Sequence, residues 1–82
     1  NMINKRVLIN GDSWTLLTDK TSLIQFNGDA YMYINDVAIV PADSVGFTMA
    51  KGEKYVNSTN GVYVYGKSAS GADVYSVTVL EV

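Results

Sequence analysis

"GVYVYGKSASGADVYSVTVLEV", residues 61–82, sets Val62 and Val64 alternately with Tyr63 and Tyr65. That is the two-residue period of a half-covered strand. Ser68-Ala69-Ser70-Gly71 has the composition of a hairpin loop. Asp73 to Val82 then forms a run rich in β-branched residues, with Val74, Val77, Thr78, Val79 and Val82, as a strand prefers. The same rhythm extends back through Lys54-Tyr55-Val56, Gly46 to Met49, Ala30 to Ile34, Ser22 to Phe26, Trp14 to Leu17 and Val7-Leu8-Ile9. Asn10-Gly11-Asp12, Asn27-Gly28-Asp29, Lys51-Gly52 and Asn57 to Gly61 punctuate these runs as turns. Asn27-Gly28 reads as a tight hairpin, because both residues accept positive φ at low cost. Val37 to Val40 reads as a short strand stopped by Pro41, and Ala42 to Ser44 as a turn or a single helical turn.

No segment is long enough for crossover helices between these runs. The expected fold is therefore all-β, a small antiparallel β-sandwich or partly open barrel of about eight short strands. A single domain is expected over residues 2–82, with Met2 read as the natural start and Asn1 as a cloning remnant.

Composition narrows the function classes. A chain of 82 residues buries only about 60–65% of its unfolded surface, so its stability is expected to be small. It has no Cys and no His, which removes disulfides, thiolate metal sites and the ordinary zinc site as braces. Association with copies of itself or with a larger body is the remaining common brace. Six basic and eight acidic residues, net charge −2, are scattered singly. No basic footprint for a phosphate backbone follows, so no nucleic-acid partner is expected. The apolar runs are short and no charged segment leads into an apolar one, so neither a membrane partner nor a signal peptide is expected.

Gly11-Asp12-Ser13, after the apolar run Val7-Leu8-Ile9, resembles the first block of the GDSL (SGNH) hydrolases, in which the serine is the nucleophile. That family's base is a histidine, and this sequence has none. A Ser-Lys arrangement through Lys5, Lys20 or Lys54 has no supporting spacing. The motif is expected to be a turn in which Asp12 and Ser13 bond local backbone. Two carboxylate pairs, Asp29 with Asp36 and Asp12 with Asp19, could meet in space. Their spacing matches no calcium loop, and they are expected to be turn residues. No catalytic residue, no metal ligand and no cofactor is expected, and the chain is not expected to be an enzyme.

Tyrosine is the compositional signal, six in the chain. Tyr31/Tyr33 and Tyr63/Tyr65 are spaced two apart, so each pair shares one face of its strand. Met32 with Ile34, and Val62 with Val64, occupy the opposite faces as expected core. Tyr31, Tyr33, Tyr63 and Tyr65 are the expected interface residues, since tyrosine joins apolar area to a hydroxyl that can stay wet. The competing reading has the same rings half-covered within the monomer, and a third has them stacking on sugars. Trp14 is expected to anchor the core beside Leu16. Asn27-Gly28 before Tyr31-Met32-Tyr33 and Asn60-Gly61 before Tyr63-Val64-Tyr65 are read as sharing hairpin chemistry rather than descent from a repeat.

Trp14-Thr15, Ile24-Gln25-Phe26, Pro41, Gly46-Phe47, Gly61 to Tyr65, Ser68 to Ala72 and Val77 to Glu81 together resemble a pattern in small virion proteins of tailed bacteriophages. The resemblance implies a β-sandwich virion structural protein, a head decoration or cement-type module, with a tail or fibre component as the variant within that class. It also implies a homo-oligomer, in particular a homotrimer, bound to a phage capsid or tail protein. The virion would be its location, after assembly in the host cytoplasm. A glycan-binding β-sandwich module is the alternative outside that class.

Overall fold

A computed structural model describes residues 1–39 and 46–82. Eight strands form in order: β1 (Ile3–Ile9), β2 (Thr15–Thr18), β3 (Ser22–Phe26), β4 (Ala30–Asn35), β5 (Phe47–Met49), β6 (Lys54–Asn57), β7 (Tyr63–Ser68) and β8 (Tyr75–Glu81). They make two four-stranded sheets, the first ordered β1-β8-β3-β6 and the second β2-β7-β4-β5. Every pairing is antiparallel. The fold is the expected all-β sandwich, and the sheets do not close into a barrel.

Alternation along each strand assigns the inner faces. Ile24 and Phe26 on β3 and Val77 and Val79 on β8 meet Met32 on β4, Val64 on β7 and Leu17 on β2 in one buried cluster with Ile9, Ala30 and Met49. Tyr55 and Tyr75 pack against it from the inner face of the first sheet. A register shift between Leu16 and Thr18 interrupts the β2–β7 ladder. Such a bulge changes the strand's alternation, and here it leaves both Leu17 and Thr18 buried.

The connections differ from the expected hairpins. Except for β4 to β5, each strand is followed in sequence by one in the opposite sheet. Asn27-Gly28 therefore carries the chain from β3 in the first sheet to β4 in the second. Ser68 to Gly71 likewise lies between strands of different sheets. Gly28 has no positive φ, which among the glycines belongs to Gly52 and Gly61. What it supplies is room, because a Cβ there would run into the ring of Tyr75. Asn27 instead works through its side chain, donating to Ser76 Oγ at 3.0 Å and Thr78 Oγ1 at 3.1 Å. Glycine composition looks the same for positive φ and for close approach, which is why the sequence suggested a hairpin. The two Asn-Gly steps thus do different jobs, and neither closes a hairpin.

Val37 to Ile39 do not form the expected strand. Its end at Val40, the stop at Pro41 and the turn at Ala42 to Ser44 lie outside the described residues.

Gly28→Ala is expected to lower stability by about 1–3 kcal/mol through overpacking against Tyr75. Urea unfolding should show most of that added cost disappearing in a Tyr75→Ala background, since contacting sites couple. Strictly additive costs would mean that something other than the ring excludes the methyl group.

Candidate aromatic interface

Inward placement of Met32 and Val64 forces their neighbours outward. Tyr31 and Tyr33 on β4 and Tyr63 and Tyr65 on β7 consequently share the outer face of the second sheet. The ladder sets Tyr33 directly opposite Tyr65, Tyr31 opposite Lys67 and Asn35 opposite Tyr63. On the far side of β7, Leu16 faces Tyr65, so Leu16, Tyr65 and Tyr33 form one row across three strands.

Tyr65 is only 3% exposed although it points away from the core. Burial raises its pKa above the ordinary tyrosine value, and the neighbouring Tyr63 adds to the shift. The row's end is open, with Leu16 45% exposed, and in the next row Tyr31 is 38% exposed. Tyr33 and Tyr63 are half-buried.

Trp14 completes this face and corrects the expectation that it anchors the core. It shares its parity with Leu16, and the core position on β2 is taken by Leu17. Its ring lies 5.9 Å from that of Tyr33, tilted by 54°, with Lys67 Nζ 5.8 Å from the ring centre. These are aromatic-pair and cation–π separations. Glycine at position 46 admits the far edge of the indole, since a Cβ there would sit 2.8 Å from Trp14 Cη2 and 2.6 Å from the Met32 carbonyl oxygen. The indole thus reaches from the start of β2 to the start of β5. Among the described strand residues of this outer face, Lys67 is the charged one.

Elsewhere the structure redistributes the expected turn chemistry. The Asp12 and Ser13 N–H groups donate to Asn10 Oδ1 at 2.9 and 3.1 Å. The turn is built by the Asn10 side chain, with Asp12 and Ser13 supplying only backbone donors to it. Asp29 and Asp36 flank β4 at opposite ends, a separation of about 20 Å or more at strand rise. They do not form a pair. Asp12 and Asp19 likewise lie beyond opposite ends of β2. Asp29 Oδ1 instead accepts the Lys51 N–H at 2.9 Å, tying the β3–β4 connection to the β5–β6 turn.

The sequence reading missed a buried polar cluster at the opposite end of the sandwich. Thr18, Ser22, Asn57 and Glu81 are all buried there. Glu81 Oε2 accepts from the Thr18 hydroxyl at 2.7 Å and pairs with Lys5 Nζ at 2.9 Å. Asn57 Nδ2 donates to the Lys20 and Val62 carbonyls at 3.0 and 3.3 Å. The signal lay in parity, because Glu81 falls on the same face of β8 as Val77 and Val79.

Compared with known proteins, the chain matches no family model, no curated protein and no solved structure.

Hydrogen bonds from Thr18 and Lys5 hold the Glu81 carboxyl below its ordinary pKa, against the opposing effect of burial. A carboxylate with a depressed folded pKa stabilises the fold above its unfolded pKa of about 4.3, and that contribution is lost as pH falls through the lower folded value. Glu81→Gln should therefore cost about 1–3 kcal/mol at pH 7. Denaturation curves taken from pH 7 downward should show the gap to the unmodified protein closing in acid. A gap that stays constant would remove the ionised carboxylate from the account.

Proposed function

We propose that this chain is a virion structural protein of a tailed bacteriophage, a decoration-type module that works by adhesion and carries out no bond chemistry. The observation that carries this reading is the outer face of the second sheet. Antiparallel sandwich sheets commonly turn polar residues to water. Here Trp14, Leu16, Tyr31, Tyr33, Tyr63 and Tyr65 share the outer side, beside one cation. Aromatic residues are enriched where two proteins meet, and a contiguous exposed apolar area marks a binding surface. Tyr65 at the centre is already covered and holds the rows in place, while Tyr31 and Leu16 offer the accessible contact.

The phage setting rests on the resemblance carried by Trp14-Thr15, Gly61 to Tyr65 and Val77 to Glu81. The adhesive role rests on the geometry. The geometry favours a protein surface over a sugar, because the Trp14 ring that would stack on a glycan is already engaged by Tyr33 and Lys67.

The test is to prepare phage particles lacking the chain, add it back in purified form and measure binding. Saturable rebinding is expected, with Tyr31→Ser and Leu16→Ser each weakening it about tenfold, an effect on the scale of the few residues that carry most of an interface's binding energy, and leaving the fold intact. Purified native particles without the chain would overturn the phage setting. Rebinding indifferent to both substitutions, or selective binding to an array of glycans, would overturn the protein-adhesive face.

A further inference from the structure

β1 forms one edge of the first sheet. Its ladder to β8 runs without a break from Ile3 opposite Glu81 to Ile9 opposite Tyr75. Alternate backbone N–H and C=O groups on its other side point out of the sheet, a template for one more strand. The other edges are poorer templates. β5 has three residues, β6 has four, and β2 has four with a register shift. β1 has seven, with no proline among them.

Lysine on an edge strand usually discourages such pairing. Lys5 is diverted from that role, because its ammonium is drawn onto Glu81 of the neighbouring β8 at 2.9 Å. Arg6 remains as the outward cation, beside Leu8, which is 63% exposed on the same face.

We propose that β1 pairs antiparallel with β1 of a second copy across a two-fold axis, fusing the two first sheets into one. The inference stands on the edge and is independent of the aromatic face. Two-fold pairing requires residue i to face j and j to face i. Inner faces stay matched only if the axis passes through a residue of β1. An axis at Lys5 or Arg6 sets like cations directly opposite each other, which is unfavourable. An axis at Val7 sets Val7 against itself, Arg6 against Leu8 of the second copy and Lys5 against Ile9 of the second copy. Axes at Asn4 or Leu8 also keep the cations apart but overlap only three residues of β1. The Val7 register pairs five, from Lys5 to Ile9, and stops where the Asn10 carbonyl already accepts from the Ser68 N–H.

Sedimentation equilibrium up to about 1 mM protein should give a reversible dimer, with concentration-dependent slowing of hydrogen exchange confined to β1 outer-edge amides. Leu8 is exposed, so its substitution leaves the monomer folded. Leu8→Lys, meeting Arg6 of the second copy twice per dimer, should weaken association about tenfold, and Leu8→Glu should strengthen it by a similar factor. A monomer throughout the concentration range would overturn the proposal. So would a trimer, as would a dimer in which the two substitutions act in the same direction. A dimer that forms as expected while the unmodified protein fails to rebind phage particles would count against the adhesive face alone.

Discussion

The inner face of β8 ties the sandwich together from end to end. Val77 and Val79 are fully buried at its centre, Tyr75 packs over Gly28 at one end, and Glu81 bonds Thr18 of the opposite sheet at the other. β8 is also flanked on both sides, by β1 and by β3. The strand nearest the end of the sequence is thus interior to its sheet, so the first sheet cannot be completed before that strand arrives. Almost every strand pair joins distant segments, and loop closure precedes the contacts that reward it. Slow folding follows from such topology. Once assembled, few strands can leave singly without exposing the valines of β8.

Sequence periodicity carried the strands well, because alternation is imposed by the two faces of each sheet and needs no knowledge of partners. Met32 and Val64 fell in the core for that reason, and the four tyrosines fell on one outer face. Partner identity was not legible. Asn27-Gly28 has the composition of a hairpin, yet its neighbours belong to different sheets, and nothing local in the sequence distinguishes a turn back from a crossing. Trp14 was misplaced because a large indole beside a leucine looks like core, whereas the parity of Leu17 decides the question. Parity also held Glu81 in plain view, but a carboxylate at a core position becomes intelligible only when Thr18 and Lys5 are known to reach it.

The proposed adhesive role asks the aromatic face to reconcile two demands that usually compete. A small sandwich gains stability from every ring it covers, whereas an adhesive surface has to leave some rings uncovered. Here the demands fall on different residues. Tyr65, in the middle of its row, is covered by its surroundings and contributes to the monomer, as its raised pKa reflects. Tyr31 and Leu16 retain accessible area.

Edge pairing through β1 has a geometric consequence for that face. A two-fold axis that keeps inner faces matched stands perpendicular to the merged first sheet. Both second sheets then lie on the same side of it, and both aromatic faces point in one direction. Two modest contacts aimed at a common surface act at a high effective concentration toward each other, so their combined hold exceeds either alone by far more than their sum. Such a pair would suit a broad, regular surface better than a small isolated ligand. The edge and the aromatic face, though separate in the fold, would then serve the same adhesion.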